Sequence, residues 1–221
     1  MKKPLIVAPG GSYEKAKIAL DFGADAVYIG SSDYSLRKSA ENFSSKQMAD
    51  LCNYAHQHAK KVYLALNIFP QESDMTGIKQ LLIKLTSIPF DALIIADLGV
   101  MALAKEHTQF PIHASTQSSI TNIYGAKVWK SLGAQRLVLA REVSLKETAT
   151  IQKAVGIETE VFIHGAMCSS YSGKCTISNI TTGRDSNRGG CVQSCRHEYK
   201  LSNGDSLYLM NSKDLQGIDL I

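Results

Sequence analysis

Gly23-Ala24-Asp25-Ala26-Val27-Tyr28-Ile29-Gly30 is the stretch whose reading decides the fold, because its outline recurs as Gly133-Ala134-Gln135-Arg136-Leu137-Val138-Leu139-Ala140. In both, a glycine ends a segment of helical period and the chain runs on into an apolar, β-branched stretch. Glycine just past a last helical turn, followed at once by a short buried-type strand, is the junction of a βα repeat. Working outward from these two junctions, seven strands are predicted: Leu5–Ala8, Ala26–Ile29, Val62–Asn67, Ala92–Ala96, Ile112–Ser115, Arg136–Ala140 and Glu160–His164. Their spacing suits βα units. Amphipathic segments lie between them. Tyr13–Phe22 gathers Ala16, Ala19, Leu20 and Phe22 near one face, and Ser45–His58 gathers Met48, Leu51, Cys52 and Ala55. Ile78–Leu85 and Tyr124–Leu132 repeat the period, with Ser12 and Ser44 as N-caps and Gly23 and Gly133 as C-caps.

Seven such units allow a doubly wound sheet or a TIM-type barrel. The strand ends read Pro9-Gly10-Gly11, Gly30-Ser31-Ser32, Asn67, Asp97, Ser115-Thr116-Gln117, Arg141-Glu142 and His164-Gly165. Nearly every one is polar. A barrel brings all of these ends to one rim, whereas an open sheet brings only a few to its switch point. The expected architecture is therefore an α/β, TIM-type (β/α) barrel. Residues 1–164 form its core, and residues 165–200 a cysteine- and arginine-rich insertion after the seventh strand. Residues 201–221 hold the rest of a hairpin and the start of a C-terminal segment. The hairpin pairs His197–Leu201 with Ser206–Met210 around Asn203-Gly204-Asp205, and Asn211–Ile221 begins a further loop and helix.

Composition sets the outer limits. The chain has 221 residues, 44% hydrophobic and 20% charged, which is enough for a sizeable core and excludes a disordered polyelectrolyte. No apolar run approaches the roughly 20 residues that span a bilayer. Met1-Lys2-Lys3 followed by Leu5-Ile6-Val7 starts like a signal peptide, but Pro9-Gly10-Gly11 interrupts it before an h-region forms. A cytoplasmic location is expected, where thiols stay reduced.

Against that background the insertion stands out. Four of the five cysteines fall within Cys168–Cys195, as Cys168-x6-Cys175-x15-Cys191-x3-Cys195. Four thiolates can enclose a soft metal centre. Uneven, wide spacing suits a [4Fe–4S] cluster held by a folded loop, while structural zinc favours tighter Cys pairs. Chance clustering of packed cysteines is the bland alternative, and it is the reading adopted for Cys52 on its helix face. Three of the six arginines lie in the same segment: Arg184, Arg188 and Arg196. Arg184-Asp185-x-Asn187-Arg188-Gly189-Gly190 offers guanidinium forks and close backbone approach to an anion. The competing reading is a solvated turn whose charge offsets the thiolates. A peptidase reading finds neither a His-Glu-x-x-His zinc motif nor a Gly-x-Ser-x-Gly elbow, and is left with Cys168 and His164 as nucleophile and base.

Val161-Phe162-Ile163-His164-Gly165-Ala166-Met167-Cys168, Tyr171-Ser172-Gly173-Lys174-Cys175 and the block from Gly183 through Cys195 to Arg196 closely resemble the signature of the collagenase-like peptidase family (U thirty-two). Asn211-Ser212-Lys213-Asp214-Leu215 and Val138-Leu139-Ala140-Arg141-Glu142 extend the match over essentially the whole chain. The resemblance implies one of three activities: oxygen-independent hydroxylation of RNA, collagenase-like proteolysis, or a non-catalytic cluster-bearing subunit with a partner. Of these, tRNA uridine 5-hydroxylation, with prephenate as co-substrate, is the leading expectation. It implies cluster ligation by Cys168, Cys175, Cys191 and Cys195. His164, Arg184 and Arg188 are the expected catalytic residues. Arg141, Asn187, Arg196, Asn211 and Lys213 are the expected contacts to tRNA or a small anionic substrate. Family members continue well past the position of Ile221, so a barrel incomplete at its C-terminal end is expected.

Overall fold

In the computed structural model, which describes residues 3–31, 33–36, 43–210 and 215–217, seven strands alternate with six helices as far as residue 160. The strands are β1 (Val7–Pro9), β2 (Ala26–Gly30), β3 (Lys61–Leu66), β4 (Ala92–Ile95), β5 (Ile112–Ala114), β6 (Arg136–Val138) and β7 (Glu158–Glu160). The helices are α1 (Tyr13–Asp21), α2 (Ser45–Gln57), α3 (Glu72–Leu85), α4 (Leu98–His107), α5 (Ile123–Ser131) and α6 (Leu145–Val155). Every strand is parallel to the next, in the order β1 to β7. The sheet curls into a half-barrel of TIM type with helices outside it.

Side-chain alternation explains both faces. The registers Val27↔Val62, Ile29↔Leu64, Leu64↔Leu93 and Leu93↔Ile112 line up an outer layer of aliphatic residues. These pack with Leu20, Leu51, Leu82, Met101 and Ile151 of the helices into the main core. Residues one position away point inward. There Ala26, Tyr63, Ala65, Ala92 and Ile94 make a second, smaller cluster with Val7 and Tyr28 against it. Capping fixes where the helices begin. The Ser12, Asp97 and Asn122 side chains accept from Lys15 N, Val100 N and Gly125 N. Ser44 with Gln47, and Ser144 with Glu147, form capping boxes.

Three expectations need correction. First, α3 starts at Glu72 rather than Ile78, because Gln71 and Asp74 cap a polar first turn that carries no apolar period. Second, the seventh strand is Glu158–Glu160, not Glu160–His164. Gly156, in the left-handed region at φ 62°, closes α6 and turns the chain into the sheet earlier, and Leu139 N donates to Glu160 O at 3.0 Å. Third, of the expected C-terminal loop and helix, the described residues show a strand. Leu215–Gln216 pairs antiparallel with His164–Gly165. The predicted hairpin is present as Glu198–Lys200 with Ser206–Tyr208. Among the described residues no helix is long and apolar enough to cross a membrane.

The half-barrel carries one polar layer inside it. In the registers His113↔Arg136 and Arg136↔Glu158, three ionisable residues face inward side by side. Arg136 donates to Glu158 Oε2 at 2.9 Å and to Glu160 Oε2 and the Tyr63 hydroxyl at 3.3 Å each. It also stacks over the Tyr63 ring at 5.3 Å. His113 meets the edge of that ring, with centroids 4.7 Å apart. Burial first, and then the charges of Arg136 and Lys61, push the His113 imidazole down to about 3. It is neutral in the folded protein where the unfolded chain's histidine, near pH 6.5, binds a proton. That stability is complete above about pH 6.5 and falls as pH drops toward 3, with a slope of up to about 1.4 kcal/mol per pH unit for the one proton. Denaturant titrations of wild type and His113→Gln between pH 4 and 7 should differ in that slope, the variant being the flatter of the two.

Candidate active site at the C-terminal rim

The insertion lies over the C-terminal ends of the strands, and the fold holds it there at two latches. The first is Ser172, which is fully buried. Its N–H donates to Glu142 Oε1 at 2.5 Å and its hydroxyl to Glu142 Oε2 at 3.2 Å. Its Oγ accepts from Arg141 N at 3.2 Å and from Thr116 Oγ1 at 3.4 Å, and its carbonyl accepts from Ser119 Oγ. Next in sequence, Gly173 sits at φ +73°, where an added Cβ would fall 2.3 Å from Gln117 O. A small side chain followed by none is what lets this loop lie flat on the segments that follow β5 and β6. The second latch is a helical turn at Ser186–Arg188. Arg188 grips Asp74 at 2.6 and 3.0 Å and donates to Phe69 O at 2.8 Å, and Phe69 N donates to Asn187 O at 2.8 Å. The guanidinium holds the Asp74 carboxyl below the usual range for aspartate.

Between roof and barrel is a cavity of about 310 Å³. Tyr28, Ala65, Ile94 and Val138 line it from inside the half-barrel, and Asn67, Ser115, Gln117 and Arg141 from the rim. Cys168, Cys175, Cys191, His164 and Asn187 line it from the insertion. Glu160 also lines it, held by Arg136. Burial pushes the Glu160 carboxyl up, and Arg136 opposes that shift.

The expected site residues divide along this geometry. Cys168, Cys175 and Cys191 line one cavity. Cys195 is buried and is not among the lining residues. Their thiols are the soft donors that iron prefers, but among the described residues no three His, Cys, Asp or Glu side chains converge into a metal-holding group. Cys52 packs in the core, where burial pushes its thiol up to about 12. Arg141 and Asn187 are at the cavity, with Asn187 Nδ2 donating to Cys175 O at 2.8 Å. His164 is exposed on its two-residue strand at the cavity wall. The catalytic assignment of Arg188 is corrected, since Asp74 occupies the fork that was to hold substrate. Arg184 is exposed and is not among the cavity's lining residues. Arg196 Nη2 donates to Met167 O at 2.5 Å. Asn211 and Lys213 lie outside the described residues. Sequence reasoning missed Glu160 and Ser172. Glu158 and Glu160, two apart in a short strand, were the available sign of a charged inner face.

A model of Peptidase family U32 matches residues 11–221. The chain is 42% identical to the tRNA hydroxylation protein P1 of Bacillus subtilis, across 100% of this chain and 55% of that protein. It is 36% identical to a 23S rRNA 5-hydroxycytidine synthase of Escherichia coli, across 95% of this chain and 32% of the relative. It thus spans about half the length, or less, of these curated relatives. A solved structure described as a U32 peptidase superposes with a TM-score of 0.58 at 11% identity, covering 74% of this chain and 72% of its own, which supports the fold alone.

Gly173 and Gly183 separate backbone strain from docking. Both have positive φ, but a Cβ on Gly183 (φ +68°) meets nothing within 4 Å. Gly183→Ala should cost about 1 kcal/mol from backbone strain. Gly173→Ala should cost more, and should expose residues 165–200 to limited proteolysis at neutral pH. Asp74→Ala, which strands the Arg188 guanidinium, should lower stability by roughly 1–3 kcal/mol in chemical denaturation and open the same segment.

Proposed function

The chain belongs to Peptidase family U32, and from that membership we propose that it acts in RNA modification, as a tRNA uridine 5-hydroxylation enzyme. The observation that carries the reading is the make-up of the cavity. Thiols, a guanidinium, carboxamides and apolar ring walls meet there at the C-terminal rim, the face on which barrel enzymes build their sites. A nucleobase taken out of its stack suits such a place, because it offers a flat apolar face and a polar edge.

Cys168, Cys175, Cys191 and Cys195 would hold a [4Fe–4S] cluster, which supplies electron transfer or Lewis acidity when bound. The protein's own groups do the rest. The roof of residues 165–200 covers the cavity from one side, and the latches at Ser172 and Arg188 set its height above the strands. Arg141 and Asn187 orient the substrate. Arg196, beside Cys195, draws anionic groups, whether RNA phosphate or a dicarboxylate donor such as prephenate.

The proteolytic reading has both of its residues on this cavity, since His164 and Cys168 line the same wall. Among the described residues no hydrogen bond joins them, so the base–nucleophile contact that activates a thiol is unmade. The two readings part under iron chelation: hydroxylation stops and proteolysis continues.

Two measurements test the proposal. Nucleoside mass spectrometry on tRNA from a deletion strain should show loss of a 5-hydroxyuridine-type nucleoside, restored by the full-length gene; an unchanged profile counts against it. Anaerobically purified protein should carry about four irons. Serine at Cys168, Cys175, Cys191 or Cys195 should lower that content, while Cys52→Ser should leave it intact. Iron without turnover, together with a co-purifying protein, would mark the chain as a cluster-bearing subunit instead.

A further inference from the structure

The cavity's inner end is more specific than its membership requires. Glu160 stands there with its side chain 19% exposed, and among the described residues the hydrogen bonds to its carboxylate go to Oε2, from Arg136. Arg136 is itself fixed by Glu158, by the Tyr63 hydroxyl and by the Tyr63 ring, so the Glu160 carboxylate is held in place rather than free to swing. Three further polar atoms of the lining, Arg141 Nε, Gln117 Oε1 and Ser186 Oγ, are buried without a hydrogen-bond partner among the described residues. An orphaned donor, an orphaned acceptor and a fixed carboxylate on one small cavity describe a ligand by complement.

The charges narrow the class. A cationic ligand meets Arg141, and a dicarboxylate placed at this depth meets the Glu160 carboxylate. A neutral ring that both donates and accepts along one edge opposes neither. The apolar side chains of Ile94 and Val138 and the ring of Tyr28 suit its faces. About 310 Å³ lies at the small end of ligand cavities, which favours one ring over a fused or double one.

We propose that Glu160 is a substrate-contacting residue that accepts a hydrogen bond from the imide N–H of a pyrimidine ring seated in the cavity, while Arg141 Nε donates to the neighbouring ring carbonyl. This rests on the RNA-modification reading above and assigns the part of the site that selects the ring. Arg136 acts behind it as a positioning residue, keeping the carboxylate turned to the cavity.

The test uses the full chain and two single-stranded RNA heptamers. One carries a single uridine among adenosines; the other carries 3-methyluridine at that place, which lacks the imide proton. Fluorescence anisotropy should show wild type binding the uridine heptamer at least tenfold more tightly than its methylated counterpart. Glu160→Met removes the acceptor at similar volume and should bind both alike. Glu160→Gln keeps a weaker acceptor and should retain a reduced preference, which carries the test if Glu160→Met fails to fold. Equal binding of the two heptamers by wild type, or an undiminished preference in Glu160→Met or Glu160→Gln, overturns the contact. If the nucleoside assay stays positive in that case, only the contact is lost. A negative nucleoside assay, or no binding of either heptamer, overturns the RNA reading and the contact with it.

Discussion

The buried hydroxyl of Ser172 ties the chemistry of this chain to its architecture. One side chain and its own backbone engage Glu142, Arg141, Thr116 and Ser119, so the loop between Cys168 and Cys175 is registered against the segments following two adjacent strands. Hydrogen bonds to a carboxylate are worth more than those between neutral groups, and leaving the buried groups of Ser172 unmatched would cost their desolvation. A loop of glycines, serines and cysteines has little apolar surface with which to fold by itself. It takes its shape from the barrel. The position of three thiols on the cavity is accordingly a property of the β5 and β6 ends as much as of the cysteines.

The inner layer of the half-barrel follows a different logic from its outer one. Outside, aliphatic strand residues pack on predominantly apolar helix faces. Inside, Arg136 bonds Glu158, Glu160 and the Tyr63 hydroxyl, His113 packs on the Tyr63 ring, and burial opposes the charges of Arg136, Glu160 and a protonated His113. Replacing such a cluster with hydrocarbon is often neutral or stabilising. Its presence therefore suits a layer that has to present a fixed carboxylate upward, into the cavity, more than one selected for stability alone.

The strands and helices were legible where a single period ran uninterrupted. Val27, Ile29, Leu64 and Leu93 announce the sheet, and Met48, Leu51 and Ala55 announce α2. Glycine and serine at the junctions placed most boundaries within a few residues. What failed was local. The strand predicted over Glu160–His164 looked continuous because Val161, Phe162 and Ile163 are strand formers, yet tertiary pairing with Leu139 ended the sheet at Glu160 and passed His164 to Leu215–Gln216. The roles of the arginines were hidden for another reason. Arg188 and Asp74 are far apart in the chain, and no sequence spacing signals that one will occupy the other. A bidentate fork aimed at a carboxylate was the right chemistry, but the carboxylate belongs to the protein.

A half-barrel also has two margins, β1 and β7, where an extended backbone would offer hydrogen-bond groups to any passing chain. Sheet margins of this kind are templates for intermolecular pairing unless they are short, charged or interrupted. Both are only three residues long. Pro9 withholds an N–H from the first, and Glu158 and Glu160 bring carboxylates to the second. The same glutamates that line the interior thus discourage the last strand from recruiting a neighbour. Among the described residues, these two strands therefore offer little free backbone on which another extended chain could register.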